Sequence, residues 1–152
     1  MKKLAFLIIT SLWICSNVNS QDLTSTKKTK IASEIDALFE KSIKAAETLD
    51  VSGLTESVSD VLLTGFISQG VYYKSFETLM DKFNSDIRGI ESQKMNISNK
   101  KITVLSDSVA LLTTSGNYSV ELEDGRVLTG GFAWTFVYSK VDGKWKIIHS
   151  HQ

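Results

Sequence analysis

The sequence predicts a single α+β domain in which helices come first and a meander of long antiparallel strands follows. Three observations carry this. Apolar residues between Ile31 and Leu49 recur at helical spacing. From about Ser92 the pattern changes to runs rich in branched and aromatic residues. Two Asp-Gly pairs, Asp124-Gly125 and Asp142-Gly143, separate those runs where hairpin turns would fall.

The first residues read as an address. Lys2 and Lys3 precede the apolar stretch from Leu4 to Cys15, which is short for a bilayer span. Val18 and Ser20 suit a signal-peptidase site, so cleavage after Ser20 is expected, leaving 132 of the 152 residues. That implies export to the periplasm or the medium, with no stable membrane insertion after processing. Cys15 is a rival lipoprotein site, but Ile14 and Trp13 fit that processing poorly. The mature chain then has no cysteine, which excludes disulfides, thiolate zinc sites and cysteine nucleophiles. Losing Lys2 and Lys3 takes the 17 basic residues to 15, against 17 acidic. The basic run Lys27-Lys28-Thr29-Lys30 is short and close to the new terminus, so nucleic acid is not an expected partner.

Residues 21–28 read as a flexible lead-in and 29–152 as one domain. From Thr29, a helix gathers Ile31, Ile35, Leu38, Phe39, Ile43, Ala46 and Leu49 on one stripe. Asp50 ends it and caps a short second helix through Gly53, Leu54 and Val58. Val61 to Ser68 reads as a strand weakened at Gly65. Ser75 caps a third helix with an apolar face of Phe76, Leu79, Met80, Phe83 and Ile87, and Gly89 stops it. Strands are expected over Ser92 to Leu105, Val109 to Leu122, Val127 to Tyr138 and Trp145 to His151.

Two-residue turns at both Asp-Gly pairs would fix the register. Tyr138 then lies opposite Ile147, Phe136 opposite His149, and Trp134 opposite His151; Leu111 faces Tyr138 and Thr113 faces Phe136. Opposed residues share a face. One face gathers Leu111, Thr113, Phe132, Trp134, Phe136, Tyr138, Trp145, Ile147, His149 and His151. The other gathers Leu112, Tyr118, Val120, Leu122, Val127, Val137 and Ile148, with Ala110, Ala133 and Ser150. Both are apolar in the middle, so one should pack on the helices and the other form a homodimer through the sheet. A bulge near Ser115-Gly116-Asn117 would swap faces beyond it.

His149 and His151 point the same way on a strand. A metal would need at least a third ligand, and the chain has only these two histidines. No metal or cofactor is expected. Either imidazole suits general-base work near neutrality. The plainer reading makes the histidines hydrogen-bonded wall residues. Phe66, Trp134, Phe136 and Tyr138 form a set that is more often core than a ligand cage, yet aromatics with a few polar groups are what a site for an apolar ligand requires. Asn96-Ile97-Ser98 and Asn117-Tyr118-Ser119 match the glycosylation sequon, by chance if the leader is bacterial.

Glu34 to Asp50 followed by Gly53-Leu54, and then the hairpin from Val141 to His151, resemble the SnoaL-like group of the nuclear transport factor 2-like superfamily. The resemblance covers nearly the whole mature chain and is sharpest in Asp142-Gly143-Lys144-Trp145-Lys146-Ile147 with the two histidines. It implies a cone-shaped fold whose strongly curved sheet wraps around the helices, a pocket between them, and frequent dimers. Members include polyketide cyclases, ketosteroid isomerases, dehydratases and non-catalytic binding or assembly modules, and the fold does not choose among these. The expected function is binding of a small, largely apolar molecule by Trp134, Phe136, Tyr138, Phe66, Tyr72, Tyr73, His149 and His151. The alternatives are a cofactor-free isomerase, cyclase or hydrolase using His149 or His151 with a pocket carboxylate, and a dimeric assembly module. Ketosteroid-isomerase chemistry, which the resemblance also implies, needs a carboxylate base and donors for an enolate oxygen; Asp60 is the nearest candidate base by position, and Tyr72, Tyr73 and Tyr118 are candidate donors.

Overall fold

A computed structural model describes residues 23–152, so the expected leader and Cys15 lie outside the described residues. Helix α1 spans Ser25–Glu47 and α2 Val51–Glu56. A short hairpin, β1 (Phe66–Ser68) and β2 (Val71–Tyr73), leads into α3 (Phe76–Asp86). Four strands complete the chain: β3 (Ile90–Val104), β4 (Val109–Leu122), β5 (Val127–Val141) and β6 (Lys144–His151). They form one curved sheet in the order β2-β1-β6-β5-β4-β3, antiparallel except where β1 runs parallel to β6. The helices pack inside the curve, which makes the α+β cone. No described helix is long and apolar enough to cross a membrane.

Local chemistry explains the boundaries. Thr24 accepts a hydrogen bond from the Lys27 N–H, so α1 begins at Ser25 and Ser25 to Lys28 are helix rather than lead-in. Asp50 caps α2 through the Gly53 N–H, and Ser75 caps α3 through the Thr78 N–H, as the sequence predicts. The strand expected from Val61 shrinks to three residues. Leu63 and Gly65 adopt positive φ (49° and 70°), and the Leu63 N–H turns back to the Asp60 carbonyl. Gln69-Gly70, both at positive φ, then closes the β1–β2 hairpin.

The two Asp-Gly turns differ. Asp142 and Gly143 both take positive φ and close a two-residue turn with Val141 opposite Lys144. At Asp124-Gly125 only the glycine does, and Leu122 pairs with Arg126 across a three-residue loop. The Asp124 carboxylate accepts from both the Arg126 N–H and its Nε, which holds the aspartate in the longer turn. The expected register therefore slips by one. Phe136 faces Leu112 and Tyr138 faces Ala110, so Leu112, not Leu111, joins the inner face.

Besides a register shift between Ile90 and Ser92 at the start of β3, two bulges bear on which residues face inward. One lies opposite Ser115-Gly116, but the extra residue is Ser98 on β3, so β4 keeps its alternation throughout. Gly116 suits that close approach, because a β-carbon there would strike the Asn96 carbonyl and the Phe132 ring. The other bulge falls on β6. Tyr138 pairs with Ile147, but Val137 pairs with His149, leaving Ile148 as the extra residue.

The core forms where α1 crosses the near half of the sheet. Ile31, Ile35, Phe39 and Ile43 pack on Ala110, Leu112, Phe136, Tyr138 and Trp145. Polar clamps hold the helix there. Trp145 Nε1 donates to Glu34 at 2.9 Å, Lys100 bridges Asp36 and Glu40, and Glu47 accepts from the Met95 N–H at 2.9 Å.

Candidate functional site

Beyond α1, the same inner face continues without a helix pressed onto it. Met95, Tyr118, Val120 and Trp134 there are only partly buried. Opposite them stands α3, whose Phe76, Leu79, Met80 and Phe83 form an apolar stripe, yet no residue of α3 is buried. Between them lies a half-open cavity of about 540 Å³. Its floor is the edge of the core: Phe39, Ile43, Phe66, Phe136, Tyr138 and Ile147. The aromatic wall is internally packed, with Phe132 stacked on Trp134 at 4.1 Å and Trp134 edge-on to Phe136 at 6.2 Å.

Polar groups are few. Ser42, Gln93 and Tyr118 line the middle, while Ser68, Gln69, Ser150 and Gln152 cluster where β1 meets the end of β6. Among the described residues, Lys82 and Asp86 are the only charged ones in the lining, and they pair with each other one turn apart on α3. Tyr138 is fully buried in the floor, its hydroxyl has no partner among the described residues, and burial raises its pKa.

Of the residues expected at a site, the fold brings Phe66, Trp134, Phe136 and Tyr138 together around this cavity. His149 and His151 lie elsewhere. The bulge at Ile148 turns both to the outer face, opposite Val137 and Thr135 instead of Phe136 and Trp134. His149 Nδ1 sits 2.8 Å from the Gly65 carbonyl, an acceptor only, so this nitrogen is the donor. His151 is exposed. Asp60 is engaged as a second cap on α3: one carboxylate oxygen accepts from the Phe76 N–H, and the other is buried without a partner. Tyr72 is exposed and Tyr73 packs on the core, and neither lines the cavity.

Ser150 takes the place expected for a histidine. It lies opposite Phe136 and is 2% exposed. No sequence signal marks the Ile148 bulge, so counting from the turn cannot find Ser150. The α3 stripe was legible as a helix face, and only its missing partner reveals it as a cavity wall. Among the described residues, no group of three or more His, Cys, Asp and Glu is arranged to hold a metal ion.

The SnoaL-like domain family model matches residues 35–152. Among solved structures, the chain is similar to a nuclear transport factor 2 (NTF2-like) superfamily protein from Salmonella enterica serovar Typhimurium, with a TM-score of 0.68, 16% identity, and coverage of 85% of this chain and 91% of that one. It is similar to the association domain of C. elegans CaMKII, with a TM-score of 0.64, 14% identity, and coverage of 82% and 95%. A type 2 hexachlorocyclohexane dehydrochlorinase gives a TM-score of 0.70 at 14% identity, covering 84% and 87%. At such identities the likeness is one of fold. No curated protein matches the chain.

Proposed function

This chain belongs to the SnoaL-like domain family of the nuclear transport factor 2-like superfamily, and from that premise we propose that it binds a small, largely apolar molecule between sheet and helices. One observation carries the reading: a cavity of about 540 Å³ whose walls are aromatic and aliphatic and which, among the described residues, is lined by no histidine and no unpaired carboxylate. Proton transfer near neutrality is best served by a histidine or a free carboxylate within reach of the ligand, and the one lining carboxylate, Asp86, is paired with Lys82. Here both imidazoles face the other way, which favours binding over turnover.

Titration with N-phenylnaphthylamine, an uncharged probe that brightens in apolar surroundings, tests this. Saturable binding of one probe per chain is expected, and Val120→Trp, which fills the cavity from β4, should abolish it. A probe that fails to saturate, or that ignores the Val120→Trp block, would overturn the reading.

Two further parts belong to the proposal. The outer sheet face exposes Leu111, Ala133 and Val137 in part, among Thr113 and Thr135, and this favours a homodimer through the sheet. An association domain among the similar structures supports it. Light scattering should give twice the chain mass, and a monomer at every concentration would refute it. Export rests on residues 1–20, and finding the chain in the cytoplasm with an intact N-terminus would refute that.

A further inference from the structure

We infer that the cavity selects an uncharged molecule, an apolar body carrying a carbonyl or ether oxygen that meets Ser150, and rejects acids and amines of the same shape. This rests on the proposed binding role and names its ligand class. The first ground is electrostatic. Lys82 and Asp86 neutralise each other, and every other lining group is apolar or a neutral hydroxyl or amide. A carboxylate or ammonium entering the cavity would shed its hydration without meeting a free counter-ion.

The second ground is a specific donor. Ser150 is 2% exposed and lines the cavity. Its Oγ accepts from Gln152 Nε2 at 3.1 Å, and among the described residues its own proton has no acceptor. A buried hydroxyl with a free donor, on a residue that lines an apolar cavity, is complemented by an acceptor oxygen on the occupant. Ser68, Gln69 and Gln152 surround that end with further neutral polar groups.

The third ground is how Ser150 comes to be there. Without the extra residue at Ile148, the strand would turn His149 inward and add an ionisable wall. The bulge substitutes a neutral hydroxyl. A single irregularity in β6 thus sets the charge class of the ligand.

Four naphthalenes of matched shape test this by displacing N-phenylnaphthylamine at neutral pH: naphthalene, acetylnaphthalene, naphthoic acid and naphthylmethylamine. Acetylnaphthalene should bind at least about tenfold more tightly than the acid or the amine. Ser150→Ala, checked for an unchanged unfolding midpoint, should weaken acetylnaphthalene about fivefold and leave naphthalene unaltered. Equal binding of acid or amine, or a Ser150→Ala loss shared by naphthalene, overturns the inference while the binding role stands. Failure of N-phenylnaphthylamine itself to bind removes both.

Discussion

Helices α1 and α3 carry the same kind of apolar stripe and look onto the same sheet face, yet they end in opposite situations. On α1, Ile31, Ile35, Phe39 and Ile43 are buried against Leu112, Phe136 and Tyr138. On α3, no residue is buried; Phe76 and Leu79 at its start pack on the edge of the core, and Met80 and Phe83 beyond them line the cavity with Met95, Tyr118 and Val120. The difference lies in attachment. Clamps along α1 reach β3 and β6 through Lys100, Glu47 and Glu34. At its start α3 is tied by Ser75 and Asp60, but the Lys82–Asp86 pair stays within the helix and holds nothing to the sheet. Half of the inner face is therefore core and half is cavity wall, which assigns stability to one half and binding to the other.

The sharpest way to break that division is to truncate one aromatic on each helix. Phe39 is 1% exposed and touches Phe136, so Phe39→Ala should cost about 3–5 kcal/mol in urea unfolding. Phe83→Ala on α3 should cost less than about 1 kcal/mol, because it empties no packed space. Its effect belongs in probe affinity. Comparable stability losses would mean that α3 is core after all.

A smaller effect is expected from the Lys100 clamp. Burial pulls the lysine pKa down, but the hydrogen bonds and charges of Asp36 and Glu40 outweigh that and leave it raised above the ordinary 10.5. A raised folded-state pKa means the clamp's contribution is complete below pH 10.5 and disappears as pH climbs through the raised value. Lys100→Met should thus lower stability at neutral pH by about 1 kcal/mol or less, since the group is partly solvated. The gap between the two proteins should close in strong alkali. A gap that stays constant with pH would assign the loss to packing over the Phe39 ring.

Tyr138 marks the boundary between the halves. Its hydroxyl is buried without a partner, so Tyr138→Phe removes an unsatisfied group and keeps the ring. Stability should stay level or rise by up to about 1 kcal/mol. A clear fall would reveal a bound water at the hydroxyl.

How far this division could be read beforehand varies by element. Periodicity located α1 and the caps located α2 and α3, because those signals are local: Asp50 and Ser75 bond to N–H groups three residues on. The strands of the meander were legible too, but their faces were not. Asp124-Gly125 and Asp142-Gly143 are the same dipeptide in two different loops, and what separates them is Arg126 beside the first. One residue of slip moves Leu111 out and Leu112 in. At β6 a second slip moves the histidines out and Ser150 in, fixed by contacts with β1 and the loop before it rather than by the hairpin. The aromatic wall survived because Phe132, Trp134 and Phe136 all lie on one strand and keep their alternation whatever their neighbours do.

The histidines give the smallest expected effect on probe binding and separate the inner face from the outer one. His151 is exposed, so His151→Ala should change stability by no more than about 0.5 kcal/mol. His149→Ala forfeits the bond to the Gly65 carbonyl and should cost about 0.5–1.5 kcal/mol. Neither belongs to the cavity lining, so N-phenylnaphthylamine affinity should stay within about twofold in both variants, less than one hydrogen bond is worth. The dimer gives a different expectation, because His149 and His151 share the outer face with Val137 and Thr135. If copies meet there, both substitutions should weaken self-association while leaving the probe alone. Loss of probe binding in His149→Ala, with the fold and the dimer intact, would instead return the imidazole to the cavity and require β6 to run without its bulge.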